Sequence, residues 1–415
     1  MANLLAVDNA LSRILNQISP LQAEIIPLMG GYHRIVAQDI IAQTSLPPFP
    51  NSSMDGYAIR AEDVTTASKN TPVTLKIVMD IPAGIFPQGE IGAGECARIM
   101  TGAPIPDGAT AVIPIEDTDG RWDAVNSSVS IFRAIKAGDY IRPVGEDIHK
   151  GDVIARIGDN LRPQEIGVCA SLGMSTLSVI RRPRVVILSN GDELVELGQP
   201  LQNGQIYNSN SYTLAGLILA CDADPILLPI AKDTPPSIRA MFKDALSQQP
   251  DMLISTAGVS VGAADFIRDI LAEFGVVDFW RINIRPGKPL AFGHIQNIPF
   301  FGLPGNPVSA MVTFEVFVRP ALYKMMGKPL PIPTISACLS HDISSDGRES
   351  YLRVFLEKSV DGVWSAHLTG TQTSSALISM SKADGLMIIP AGITTAKTGE
   401  FYRVRLLKSE LLYSN

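Results

Sequence analysis

Three groups of acidic and amide residues stand at the ends of apolar runs, where polar side chains are placed to meet a ligand. The run 185–188 is followed by Ser189-Asn190-Gly191-Asp192-Glu193, the run 226–230 by Asp233, and the run 252–255 by Gly258-Val-Ser260-Val-Gly262-Ala-Ala-Asp265. If these runs are parallel strands, Glu193, Asp233 and Asp265 converge on the carboxyl-end rim, where open α/β sheets bind ligands. Mg²⁺ suits such a rim, because it takes one or two carboxylates and completes its shell with water and phosphate oxygens. Each acid alone equally suits a helix cap or a turn.

Basic and backbone groups offer the complementary chemistry. Leu303-Pro304-Gly305-Asn306-Pro307 reads as a strand end and helix start, with Asn306 at N-cap and Pro307 at N1. Exposed N–H groups and the helix dipole there make an anion site, and plain capping explains the same residues. Arg281 and Arg285, four apart, are expected on one face of a strand, with Lys288 following. Solvated arginines are the bland reading; beside the turn, the pair suits a phosphate or oxyanion. Asp55-Gly56 is a hairpin signal, Arg98-Ile-Met-Thr101-Gly102 a strand and turn, and Gly145-Glu146-Asp147-Ile148 an acidic turn.

The elements that carry these residues follow from periodicity. Apolar residues Leu4, Val7, Leu11, Ile14, Leu15 and Ile18 predict an opening amphipathic helix over 4–18. Short β runs between Gly/Pro turns fill 47–145, and a helix starting at Pro163 completes the domain that the opening helix begins. From 181 to 328, strands near 185–188, 226–230, 252–255, 276–284 and 300–303 alternate with helices near 212–220, 236–247, 264–274 and 308–325. After Pro329-Leu-Pro-Ile-Pro the chain returns to short β runs. The expected fold is multidomain α/β plus β. Residues 1–46 and 146–180 make an N-terminal linker and helical domain, 47–145 an inserted β domain, 181–328 a three-layer α/β domain with a mostly parallel sheet, and 329–415 a small C-terminal β domain.

Composition removes several function classes. The 415 residues are 46% hydrophobic and 18% charged, too many for one ordinary core. Lys+Arg 34 against Asp+Glu 41 gives a net charge of -7 with no long basic stripe, which argues against a nucleic-acid backbone binder. Four dispersed cysteines and five dispersed histidines show no zinc or disulfide spacing. No run of 18 apolar residues and no basic segment leading an apolar core at the N-terminus predict a protein off the membrane, in the cytoplasm.

Taken together the segments resemble the MoeA family, which is similar to the E domain of gephyrin. The resemblance rests on Pro47-Pro-Phe-Pro-Asn-Ser-Ser-Met-Asp-Gly-Tyr-Ala58, Arg98-Ile-Met-Thr-Gly-Ala-Pro104, Gly145-Glu-Asp-Ile148, Gly191-Asp-Glu-Leu194, Gly258-Val-Ser-Val-Gly262 with Asp265, Lys288-Pro289 and Gly302-Leu-Pro-Gly-Asn-Pro-Val-Ser309, all in family order. It implies a molybdopterin molybdenumtransferase, which inserts molybdenum from molybdate into adenylyl-molybdopterin with Mg²⁺-dependent release of AMP to give molybdenum cofactor. The α/β domain would then bind molybdopterin. The family's functional residues fall on Asp55, Thr101, Asp147, Glu193, Asp233 and Asp265. Glu193, Asp233 and Asp265 are the implied Mg²⁺ ligands. Substrate contacts are implied for Gly258, Ser260, Gly262, Arg281, Arg285, Lys288, Pro304, Gly305, Asn306, Pro307, Arg348, Arg353 and Ser374.

The resemblance further implies an elongated homodimer in which Asp55, Thr101 and Asp147 come from the partner subunit, and a pathway partner in the molybdopterin adenylyltransferase. This chain departs from the family in carrying Arg281 and Arg285 where many members have lysines, and Ala257 in place of a glycine. An adenylyltransferase would not need the inserted β module, and a non-catalytic scaffold would not need the acidic rim.

Overall fold

The computed structural model describes residues 4–120, 127–256, 265–330 and 332–408. Two compact units divide the chain, one of Met1–Glu24 with Ile180–Asn415 and the other of Ile25–Val179.

In the first unit, β-branched and aliphatic runs build a six-stranded sheet. Its order is Asp224–Leu227, Arg184–Leu188, Met252–Ser255, Ile298–Gly302, Pro289–Ile295, Gly275–Arg281. The first four strands run parallel, and Pro289–Ile295 is antiparallel to both of its neighbours. Alternation along a strand sorts the core into two layers. Val185 and Ile187 face a cluster with Leu214, Ile218, Val308 and Val312, whereas Val186 and Leu188 face Ile238, Met241, Phe242 and Leu271. Helices Ser209–Leu219, Pro235–Ser247 and Asp265–Phe274 thus cover a buried parallel sheet, as strands apolar on both faces require. Helix Pro307–Thr313 continues through a π turn, Phe314–Val318, into Arg319–Met325.

The C-terminal strands close on themselves. Glu349–Lys358 pairs with Trp364–Leu368 and Gly385–Ile389; Thr334–Leu339 pairs with Trp364–Leu368 and Phe401–Leu406; Gly385–Ile389 pairs with Phe401–Leu406. The result is a small barrel around Val354, Met387, Ile389 and Val404. A two-residue strand, Ile284–Arg285, leaves the α/β sheet and joins this barrel beside Glu349 and Ser350.

The second unit holds a five-stranded sheet ordered Ala111–Pro114, Gly56–Ile59, Glu95–Ile99, Val73–Ile81, Ser128–Ile131. Gly56 is indispensable there, since a Cβ would lie 2.0 Å from the carbonyl oxygen of Ile113. Helix Pro163–Ser171 packs through Cys169 against Val36, Leu161, Leu177 and Val179.

The multidomain α/β plus β fold is as the sequence implied, with three differences in detail. The opening helix, Val7–Leu15, buries Val7, Ala10 and Ile14 with Val185 and Ile282, so it belongs to the α/β unit, whereas Pro163–Ser171 belongs to the other. Pro289–Ile295 is a strand that periodicity did not reveal, because Pro289, Gly293 and His294 dilute its apolar character. Arg281 and Arg285 do not share a strand face: Arg281 ends the Gly275–Arg281 strand, and Arg285 lies in the segment paired with the barrel. The four cysteines are free, and no helix among the described residues is long and apolar enough to cross a membrane.

Candidate active site

The carboxyl ends of the parallel strands carry a tightly bonded polar rim. Ser189, directly after the Arg184–Leu188 strand, is fully buried, and its Oγ lies 2.5 Å from Ser211 Oγ and 3.3 Å from Thr256 Oγ1. Nδ2 of Asn190 donates to Oδ1 of Asp233 at 2.6 Å, and the Asp233 N–H donates to Oδ1 of Asp192 at 3.3 Å. The loops after the first two strands therefore meet through Asn190, Asp192 and Asp233. Glu193 folds back over Gly191, whose φ is +150°; a Cβ on Gly191 would lie 2.7 Å from Glu193 Oε2. Only glycine accepts that backbone without strain and leaves the carboxylate its place.

Gly258, Ser260 and Gly262, together with Ala257, lie outside the described residues, and Asp265 is described only as the first residue of its helix. Among the described residues no group of three His, Cys, Asp or Glu gathers as a metal centre. Glu193 and Asp233 nevertheless match the donor chemistry of Mg²⁺, an ion content with one or two protein carboxylates.

Of this rim, Asn190, Glu193 and Thr256 line a cavity of 310 Å³ together with Asn208, Asn210 and the Gly305-Asn306-Pro307 turn, among others. The turn is held from both sides. Nδ2 of Asn210 donates to the Gly305 carbonyl at 2.6 Å. Oδ1 of the same amide is buried and, among the described residues, has no hydrogen-bond partner. Asn306 occupies the N-cap position with Pro307 at N1, yet its side chain does not cap the helix; Nδ2 donates to Ser374 Oγ at 3.0 Å. The Val308 N–H donates to the Ser374 carbonyl at 3.1 Å, so one N–H of the helix start is already satisfied.

Ser374 also lines a second, basic cavity of 380 Å³ with Arg285, Gly287, Lys288, Ser309 and Arg348. Arg348 is firmly oriented. Its Nε and Nη2 donate to Asp346 Oδ2 at 3.0 and 2.5 Å, and its Nη1 donates to the Ile284 carbonyl at 3.0 Å. This pairing, with Arg285 Nη1 3.8 Å away, holds the Asp346 carboxyl below the usual carboxylate range. Arg353 is 1% exposed and donates to Ser379 Oγ, Thr371 O and Thr373 O. Burial, and then the charge of Arg285, push its guanidinium down to about 10. Arg281 lines neither cavity.

In the second unit, Asp55 and Thr101 meet. Oδ1 of Asp55 accepts from the Thr101 N–H at 2.7 Å and from Thr101 Oγ1 at 2.9 Å. Asp147 is exposed on the wall of an open 690 Å³ depression with Asp152 and Arg156. Motif reading passed over Asp346, Asn210, Thr256 and Ser211, and took Ser189 only as the first polar residue after its strand. Asn208 alone had a legible signal: it is the N-cap of Ser209–Leu219, accepting from the Ser211 N–H at 3.4 Å.

Comparison with known proteins decides the family. Residues 5–173 match the MoeA N-terminal region (domain I and II), 186–324 a probable molybdopterin binding domain, and 336–407 the MoeA C-terminal region (domain IV). Molybdopterin molybdenumtransferase 2 of Mycobacterium tuberculosis is 37% identical over 382 residues, covering 90% of this chain and 92% of that protein. This chain belongs to the MoeA family. Among other MoeA relatives, the molybdopterin molybdenumtransferase of Haemophilus influenzae is 37% identical over 404 residues, 96% of this chain and 97% of that one. A solved molybdopterin biosynthesis MoeA protein of Pyrococcus horikoshii superimposes with a TM-score of 0.77 at 30% identity, covering 97% of this chain and all of that one. The likeness to these relatives thus extends over nine-tenths or more of the chain.

Proposed function

We propose that this chain is a molybdopterin molybdenumtransferase of molybdenum cofactor biosynthesis, taking molybdenum from molybdate into adenylyl-molybdopterin and releasing AMP. The observation that carries the reading is the pair of cavities, one acidic and amide-lined, the other basic, on either side of the Asn306–Ser374 contact.

The division of labour follows from charge. Arg285, Lys288 and Arg348 attract the tetrahedral oxyanion, and Ser374 and Ser309 offer it hydroxyl groups. Arg353, set behind them without access to water, adds positive potential. Across the turn, Thr256, Asn190 and the Gly305-Asn306 backbone receive the adenylyl half. Glu193 and Asp233, with Asp265, would hold Mg²⁺, which when bound neutralises phosphate charge and eases departure of AMP. Asp55, held by Thr101, and Asp147 are assigned as further acids of the reaction, and the working form as a homodimer. Proximity of two reactants in fixed orientation then supplies much of the acceleration.

AMP release from adenylyl-molybdopterin, with Mg²⁺ and with or without molybdate, tests this directly. Oxyanion-dependent release with cofactor formed is the expected result. Pterin binding without AMP release would leave a scaffold in place of an enzyme.

A further inference from the structure

Asn210 carries a feature that the proposed chemistry leaves unexplained. Its amide has two ends with opposite needs. The Nδ2 end is committed to the Gly305 carbonyl at 2.6 Å, and this bond fixes the orientation, because a flipped amide would set an oxygen against that carbonyl. The Oδ1 end is therefore an acceptor. It is buried and unpartnered, one of the few such side-chain atoms among the described residues. A buried acceptor without a donor is costly, and native structures keep such groups where a ligand or an ordered water supplies the hydrogen.

Asn210 lies on the wall of the 310 Å³ cavity, beside Asn208, Thr256 and Gly305. Neighbouring side chains already have partners: Asn190 is bonded to Asp233, Asn208 to the Ser211 N–H, and Thr256 shares the Ser189 hydroxyl. Glu193 and Asp233, the acids of the rim, offer no hydrogen when ionised. None of these bonds reaches Oδ1 of Asn210, which stays open to a donor from a molecule that fills the cavity.

We propose that Asn210 is a substrate-contacting residue, its Oδ1 accepting a hydrogen bond from an N–H or O–H group of the bound adenylyl-molybdopterin. This rests on the assignment of the cavity to that substrate. The donor lies on the nucleotide half, as an amine or ribose hydroxyl, or on the pterin half, as a ring N–H or amine. Its partnership with Gly305 makes the contact informative to the protein, since the same amide grips the turn that leads to Asn306 and Ser374.

The test compares wild-type protein with Asn210→Ala by calorimetry, using AMP and adenylyl-molybdopterin as separate probes and molybdate as a third. Loss of one neutral hydrogen bond is expected to weaken binding about 3- to 10-fold. Weakening of both organic probes places the donor on the nucleotide half, and weakening of adenylyl-molybdopterin alone places it on the pterin half; either supports the contact. Molybdate affinity, set by the basic cavity, is expected to stay unchanged and reports an intact fold. Unchanged binding of both organic probes overturns the proposal, as does an equal loss for molybdate, which would assign the effect to the Gly305 bond. If wild-type protein binds neither organic probe, the cavity assignment itself fails. Asn210→Ser, which retains a helix-compatible polar residue but cannot reach as far, serves if the alanine variant does not fold.

Discussion

Replacing Arg348 by lysine separates geometry from charge in the basic cavity. The guanidinium makes three oriented contacts, two to Asp346 and one to the Ile284 carbonyl. An ammonium keeps the charge but cannot serve both partners from one fixed fork. Two of the three bonds are therefore lost. With Asp346 40% and Arg348 25% exposed, solvent screening discounts each to about 0.5–1 kcal/mol, together about 1–2 kcal/mol. If that orientation is what the oxyanion meets, Arg348→Lys weakens molybdate binding roughly 5- to 30-fold. Arg348→Gln removes the charge as well, and a dianion about 4 Å away in a water-like medium loses about 2 kcal/mol more. Titration calorimetry with molybdate, run in parallel with AMP as a ligand of the other cavity, reads both variants. Lysine binding as well as arginine while glutamine fails would show that charge alone matters and refute the geometric reasoning. No change in either variant would remove the cavity from oxyanion binding.

Three further outcomes follow from the geometry. Thr101→Val removes one of the two bonds to Asp55 and leaves the backbone N–H; kcat/KM for AMP release should fall about 3- to 10-fold and recover in Thr101→Ser. Gly191→Ala strains the backbone by about 1–3 kcal/mol and displaces the Glu193 carboxylate, so AMP release should drop at least about tenfold while the circular dichroism spectrum stays the same; full activity would contradict the placement of Glu193. Glu165, bonded to the Arg162 side chain, has its carboxyl held down to about 2. Its folded value lies below its unfolded one, so its stabilisation is complete above about pH 4.5 and is lost as pH falls through about 2. Carbon-detected NMR titration should show that low midpoint and its return to the ordinary carboxylate range in Arg162→Gln; an unmoved midpoint would count against the pairing.

Much of this architecture is legible in the sequence because it rests on local pattern. Residues 185–188 and 252–254 are short, wholly apolar and followed at once by polar residues, which is how a buried parallel strand ending in a binding rim reads. Asn306 at N-cap is legible through Asn-Pro. What local pattern does not carry is the partner chosen in three dimensions. Asn306 turns from the helix to Ser374, 68 positions away. Arg285 leaves its strand because the barrel edge offers pairing to Glu349 and Ser350, a preference that no spacing within 281–288 encodes. Asp346 and Asn210 are ordinary polar residues until Arg348 and Gly305 are seen beside them.

The Ile284–Arg285 strand also bears on how such a chain can be rearranged by recombination. A barrel cut out at residue 329 would leave behind a pairing partner of its longest strand, together with Arg285 and Lys288 of the basic cavity. An exchange of the C-terminal domain between relatives therefore preserves the cavity only if the peptide 282–288 travels with it or already matches its new barrel. The unit of inheritance for this half of the site is the pair of distant segments, and a cut drawn at the proline-rich linker divides it.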